Sequence, residues 1–229
     1  MTLFPFFEPI DGKTILLVGG GRIAAGKLEK LLPFTDRILL VAAEPAAVTA
    51  FLAAKGISPG NDPEGTLWPV LLQRPFEDGD LQRADYVIGA TNDRTLNRHI
   101  SDLCRAARIP VNIVDDPELC TFIFPSLVRR GDLVAGITTA GKSPAFGQYV
   151  RKTLEKNLPD NTEAIIEELY ALKLQLKKDV PEQKERARLL RQRLSELLSA
   201  SDHASNHVSG HVSDHASDHA SGHVSDQGE

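Results

Sequence analysis

An α/β fold built on a parallel sheet is what this 229-residue sequence predicts, and three observations carry the prediction. Short apolar runs alternate with helical patterns from the N-terminus to about residue 115, as in successive strand–helix crossovers. The first run, Ile15-Leu16-Leu17-Val18, passes straight into Gly19-Gly20-Gly21-Arg22-Ile23-Ala24, and a helical pattern, Gly26 to Leu32, follows at once. A second run, Arg37 to Ala43, ends about 20 residues further on at an acidic residue, Glu44.

The glycine segment reads Gly-x-Gly-x-x-Ala between a strand and a helix, the context that gives such a motif its meaning. Its glycines allow a tight turn and close approach to a pyrophosphate, which then sits on the free N–H groups of the helix start. Gly19, Gly20, Gly21, Arg22 and Ile23 are therefore candidate cofactor contacts, and the sheet is expected to be of the Rossmann type. Glu44, with Ala43 beside it, is placed to accept hydrogen bonds from ribose hydroxyls and to repel a 2′-phosphate, favouring NAD over NADP. The alternative for Glu44 is a solvated residue opening the next helix at Pro45.

The remaining elements follow the same alternation. A helix is expected over Ala46–Lys55, then a Gly/Pro/Asn/Asp-rich loop over 56–65 and a strand over Trp68–Gln73. A strand over Asp85–Ala90 ends at Thr91-Asn92-Asp93, a helix spans Arg94–Ala107, and a strand over Pro110–Val114 ends at Asp115. Ligands of open parallel sheets bind beyond the carboxyl ends of the strands. Gly19–Gly21, Ala43–Glu44, Thr91–Asp93 and Asp115 all occupy such ends and point at one crevice. Two further strands, Thr121–Leu127 and Asp132–Thr138, form an antiparallel-style pair joined by 128–131. Helices are then expected from Ser143 (cap) and Pro144 to about Asn157, over Thr162–Lys178, and over Pro181–Leu198.

Composition excludes several classes. Hydrophobic content of 41% and charged content of 25% are those of an ordinary globular chain. The net charge of −5 lies wholly on the acidic residues from Asp202 onward, and the rest of the chain is formally neutral, so nothing favours nucleic acid. No apolar run reaches bilayer-spanning length and the first residues lack a basic, apolar leader, so no membrane partner and a cytoplasmic location are expected. Cys104 and Cys120 suggest buried free thiols rather than a disulfide or metal pair.

Two motifs need separate treatment. Gly136-Ile137-Thr138-Thr139-Ala140-Gly141-Lys142-Ser143 matches the Walker A pattern letter for letter. A nucleotide triphosphatase would also need a later parallel strand bearing a magnesium-binding Asp, yet everything after Ser143 is helical, and Pro144 removes a donor from the first helical turn. The C-terminal stretch repeats every four residues and holds six of the seven histidines: His203, His207, His211, His215, His219 and His223. Such a low-complexity stretch is expected to be disordered when free, with affinity for Zn, Cu, Ni or Fe through imidazole. An expanded repeat without function is the bland alternative.

On these residues the chain resembles the stand-alone precorrin-2 dehydrogenase/sirohydrochlorin ferrochelatase family, the N-terminal part of sirohaem synthases. The resemblance runs from about Leu3 to Leu198. It rests on Phe4-Pro5-Phe6-Phe7, the glycine segment, Ala90-Thr91-Asn92-Asp93, the run Val111 to Cys120, Phe122-Ile123-Phe124-Pro125-Ser126, and Ile137 to Pro144. Ala140 stands where the family usually has glycine in its Ser-Thr-Gly-Gly-Lys-Ser-Pro loop, which accounts for the Walker-like match. The resemblance implies NAD-dependent removal of two hydrogens from precorrin-2 to give sirohydrochlorin. In some members the same crevice also inserts Fe²⁺ or Co²⁺, a lyase step. It further implies a homodimer whose contact is the segment 116–145, between the NAD-binding domain over 1–115 and a helical domain over 146–200; the His-rich tail over 201–229 lies outside the resemblance. Asp115 matches the catalytic aspartate, Thr91 and Asn92 line the nicotinamide side, and Arg129, Arg130 and Lys142, with Arg151 and Lys152, are candidate anchors for the carboxylates of the substrate. A non-catalytic NAD-binding regulator and a metal-handling protein are the alternative classes.

Overall fold

The computed structural model describes residues 3–64 and 66–209, the last eight as backbone alone. Its organising element is a five-stranded sheet in the order β3-β2-β1-β4-β5, with every pairing parallel. The strands are β1 (Ile15–Val18), β2 (Ile38–Val41), β3 (Val70–Leu72), β4 (Tyr86–Gly89) and β5 (Val111–Ile113). Helices α1 (Arg22–Leu31), α2 (Ala46–Ala54) and α3 (Arg94–Ala107) make the crossovers. The order reverses between β1 and β4, and that reversal opens a crevice at the carboxyl edge.

Strand pleating sorts the core into two layers. Leu16, Val18, Leu39, Val41, Val87 and Val111 face α3, where Ile100 and Cys104 close against them. Ile15, Leu17, Ile38, Leu40 and Ile88 face the other way, against Ala24, Leu28 and Leu31 of α1 and Val48 and Leu52 of α2. Both faces are covered, so the strands carry the uninterrupted apolar runs of a parallel sheet rather than an alternation. Both cysteines are free and buried, as expected.

Several boundaries differ from the sequence reading, each with a local cause. The first crossover helix starts at Arg22, four residues before the apolar pattern, because Gly21 already takes the extended N-cap conformation. The third strand is confined to Val70–Leu72, since Pro69 has no N–H to offer a ladder. The later pair is shifted: β6 spans Ser126–Arg130 and β7 spans Leu133–Ile137. Pro125 blocks an earlier start, and the turn falls at Gly131-Asp132, where Gly131 adopts φ +55°. Residues 128–130 are therefore strand, not linker. The β6–β7 pair is a sheet of its own, so the Walker-like segment does not sit in a parallel nucleotide-binding sheet.

The chain divides into two compact units, residues 1–127 with 136–149, and residues 128–135 with 150 onward. Helix α4 (Pro144–Asn157) opens with the Ser143 hydroxyl accepting from the Phe146 N–H at 3.3 Å, the cap expected from sequence. In the second unit α5 (Thr162–Asp179) packs on α6 (Gln183–Ser209), with Arg193 bridging to Glu168 at 2.6 Å. The expected break near Leu198 is absent. The helix runs on through Ser209, with Ser199 and Ser201 hydroxyls donating to the Ser195 and Leu197 carbonyls, so residues 201–209 are helical rather than disordered. Extending a formed helix costs far less than nucleating one. Among the described residues no helix is long and apolar enough to cross a membrane.

Candidate functional site

The carboxyl ends of β1, β4 and β5 converge on a cavity of about 380 Å³ in the first unit. One wall is the start of α1: Gly21, Arg22 and Ile23. The second is the loop after β4, with Ala90, Thr91 and Asn92 followed by Arg94 and Asn97 of α3. The third is the end of β5 and the segment after it: Ile113, then Val114, Asp115 and Asp116. Sequence reading brought Gly21, Arg22, Ile23, Thr91, Asn92 and Asp115 to one crevice, and all six line this cavity.

The three glycines differ in what they answer to. Gly19 has φ +124°, and a side chain there would run into the Ala90 carbonyl. A side chain at Gly20 would strike the backbone of Glu44 and Pro45. These two are glycine because neighbouring strand ends pass too close. A Cβ at Gly21 would meet nothing in the protein, although the residue lines the cavity. Its bareness leaves space on the ligand side. Helix α1 also has no side-chain cap and no acid in its first turn. The N–H groups of its first turn have no intrahelical partner and carry the positive end of the dipole. Helix α3 shows the contrast, because Asp93 accepts from the Thr95 and Leu96 N–H groups at 2.8 and 3.1 Å. An uncapped, glycine-bared helix start on a cavity fits a dinucleotide pyrophosphate.

Other expected contacts lie elsewhere. Gly19 and Gly20 shape the turn behind the cavity, and exposed Ala43 and Glu44 sit at the end of β2, outside its lining. Lys142 is exposed and also outside the lining. Arg129 and Arg130 belong to the second unit, where Arg129 donates through Nε to the Gly131 carbonyl at 3.2 Å and Arg130 through Nη1 to the Arg129 carbonyl at 3.3 Å. His203 and His207 fall on the backbone-only end of α6, and His211, His215, His219 and His223 lie outside the described residues. Among the described residues no cluster of His, Cys, Asp or Glu is arranged to hold a metal.

Asp115 is exposed to the cavity and has φ +60°, a left-handed conformation that Asp tolerates better than most residues. The buried Cys120 thiol braces the turn beneath it. Its Sγ accepts from the Ile113 N–H at 3.2 Å and lies 3.2 Å from both the Ile113 and Asp116 carbonyls. Burial pushes that thiol up, which keeps it a neutral strut. Sequence reasoning missed Arg94, Asn97 and Asp116 as lining residues; their position just past the strand ends was the available signal. It also missed Lys27, one helical turn beyond Ile23, whose Nζ lies 4.1 Å from the Phe124 ring centroid. Burial first and Lys30 second bring its pKa down to about 8, against the opposing pull of Cys120 and Asp115.

A parallel sheet with this strand order and an uncapped glycine turn at its switch point defines a Rossmann-type dinucleotide-binding protein. A family described as "Putative NAD(P)-binding" matches residues 6–126. The siroheme synthase of Thioalkalivibrio sulfidiphilus (strain HL-EbGR7) is 34% identical over 188 residues, covering 82% of this chain and 36% of that protein. That of Vesicomyosocius okutanii is 36% identical over 159 residues, covering 69% of this chain and 32% of that protein. The chain thus spans about a third of the length of the curated relatives it matches. A solved structure titled "SirC, precorrin-2 dehydrogenase" superposes with a TM-score of 0.65 at 20% identity, covering 87% of this chain and 99% of that one, a likeness of fold. The chain belongs to this NAD(P)-binding family and is siroheme synthase N-terminal-like.

Proposed function

We propose that the chain is an NAD-dependent dehydrogenase that oxidises precorrin-2 to sirohydrochlorin. The observation that carries the reading is the union, in one cavity, of an uncapped glycine-bared helix start with the exposed carboxylate of Asp115. The names of the similar proteins, siroheme synthase and precorrin-2 dehydrogenase, support the same substrate class.

When bound, NAD⁺ supplies the hydride acceptor at nicotinamide C4. The first-turn N–H groups at Gly21, Arg22 and Ile23 hold the pyrophosphate. Ala43 and Glu44 contact the adenosine ribose, with Glu44 disfavouring a 2′-phosphate. Thr91 and Asn92 bound the nicotinamide side. Two hydrogens leave precorrin-2, one as hydride and one as a proton, and the Asp115 carboxylate takes the proton. Arg129, Arg130 and Lys142 anchor substrate carboxylates. The enzyme works as a cytoplasmic homodimer. Fe²⁺ or Co²⁺ is a substrate of a second step in the same crevice, with Asp115 accepting pyrrole protons.

An anaerobic assay with precorrin-2 and NAD⁺ tests the reading. NADH formed in step with sirohydrochlorin is expected, and Fe²⁺ or Co²⁺ added afterwards reads the chelatase step. Binding of NAD⁺ without any NADH would reject the dehydrogenase in favour of a non-catalytic NAD sensor. Asp115→Ala should abolish turnover and leave NAD⁺ affinity in place; equal loss of both would reject its role as base.

A further inference from the structure

Helix α3 packs its apolar residues Ile100 and Cys104 into the sheet, both fully buried, and that alone would seat it. Along the same helix runs a polar series at i, i+4 and i+8: Asn97, Ser101 and Arg105. Asn97 is 7% exposed and Ser101 fully buried. Burying amide and hydroxyl groups costs free energy that a hydrogen bond only offsets, and an apolar helix face would stabilise the fold more simply. Among the described residues no buried side-chain polar atom lacks a partner, so each of these groups has a specific task.

Those tasks divide between the two loops that bound the crevice. Asn97 holds the loop after β4 at both ends of its amide: Oδ1 accepts from the Thr91 hydroxyl at 2.7 Å, and Nδ2 donates to the Thr91 carbonyl at 3.0 Å. One turn on, the Ser101 hydroxyl donates to the Leu119 carbonyl at 2.8 Å. One turn further, Arg105 donates through Nη2 to the Glu118 carbonyl at 2.8 Å and through Nε to Ser101 Oγ at 3.3 Å. Glu118 and Leu119 belong to the short 3-10 turn Pro117–Leu119, whose Leu119 N–H returns to the Asp116 carbonyl at 3.2 Å. One rigid helix therefore grips the Thr91 loop at its N-terminal end and, through its middle and last turn, the 3-10 turn that follows Asp115.

We propose that Asn97, Ser101 and Arg105 are positioning residues that together set the spacing between the Thr91 side of the crevice and Asp115. The inference rests on the dehydrogenase reading, in which a hydride leaves the substrate toward the Thr91 side while Asp115 takes the proton. Both transfers need separations held to a fraction of an ångström, and a small misplacement costs orders of magnitude in rate. A ruler built into one helix keeps the two edges in register, while the pyrophosphate rests on the start of α1.

The test compares wild type with Asn97→Ala, Ser101→Ala and Arg105→Ala. The last alters an exposed side chain and folds even if the buried Ser101→Ala does not. Turnover of precorrin-2, NAD⁺ affinity by calorimetry, and amide hydrogen exchange are read for each. The expected result is a fall in kcat of at least tenfold in all three, with NAD⁺ affinity within threefold of wild type in Ser101→Ala and Arg105→Ala, whose side chains lie outside the cavity lining. Exchange should quicken over 114–119 in Ser101→Ala and Arg105→Ala, over 91–93 in Asn97→Ala, and stay unchanged in β1. Wild-type kcat in the folded variants, or NAD⁺ affinity of Ser101→Ala or Arg105→Ala falling in parallel with kcat, overturns the inference. A wild-type protein that turns over no precorrin-2 is a failure of the dehydrogenase reading instead. Hydrogen exchange then decides the inference alone, and unchanged exchange in both loops overturns it.

Discussion

Replacing Gly20 and Gly21 by alanine, one at a time, separates what the fold needs from what the ligand needs. A methyl at Gly20 collides with the Glu44 carbonyl and the Pro45 Cα, backbone atoms that cannot swing aside. Overpacking of that kind costs about 1–3 kcal/mol. At roughly 2–4 °C per kcal/mol for a chain of this size, Gly20→Ala should melt roughly 2–12 °C below wild type. Gly21 has φ −79° and ψ −178°, extended backbone open to any residue, and a methyl there meets no protein atom. The reduced freedom of the unfolded chain and the weaker helix start of alanine nearly cancel, leaving stability within about 1 kcal/mol of wild type. The new methyl instead occupies the surface offered to a pyrophosphate. Gly21→Ala should therefore lose at least about tenfold in NAD⁺ affinity, about 1.4 kcal/mol. Thermal melts by circular dichroism and calorimetric NAD⁺ titration read both quantities. Melting of Gly21→Ala as low as Gly20→Ala, or wild-type NAD⁺ affinity in Gly21→Ala, would refute the reasoning.

Three further outcomes are expected. Lys27 has its pKa brought down to about 8 by burial, below the unfolded value of roughly 10.4, so the folded state binds fewer protons than the unfolded chain between those values. Wild-type stability should rise with pH from about 8 to 10.5, and denaturant melts of Lys27→Met should lack that rise. Asp85 is held below the usual carboxylate range, first by the Thr14 N–H at 2.8 Å and then by Lys13 at 3.2 Å. Its contribution is present above the unfolded carboxylate value of roughly 3.9 and is lost as pH falls through the lower folded value, so Asp85→Asn should flatten the acid end of the stability profile. Replacing the six tail histidines by alanine should remove Zn²⁺ or Ni²⁺ binding seen by calorimetry while leaving NAD⁺ affinity unchanged; metal binding that survives would take the tail out of the account.

The parts legible from sequence were those in which one local pattern answers to one physical demand. Continuous apolar runs such as Ile15–Val18 and Ile38–Val41 follow from burial on both sheet faces, and Ser143 with Pro144 announces the start of α4. The hairpin was misplaced because its limits depend on where Pro125 lacks a donor and where Gly131 turns, while Arg129 and Arg130 look like linker. The tail was read from composition alone, which carries no information about a helix already nucleated upstream in α6. Lys27 reads in sequence as one more surface cation; only the fold sets it over Phe124.

By itself the sequence determined the strand–helix alternation, the glycine turn and the positions of Thr91 and Asp115 at strand ends, because each is written in a few consecutive residues. Tertiary structure alone decided which strand ends meet, since the β3-β2-β1-β4-β5 order brings residues 21, 91 and 115 around one cavity. It also decided that Gly20 serves the Glu44 turn while Gly21 serves the cavity, and that α3 ties Thr91 to the Asp115 turn. Those are contacts between segments distant along the chain, and no local pattern of residue types encodes the distance between them.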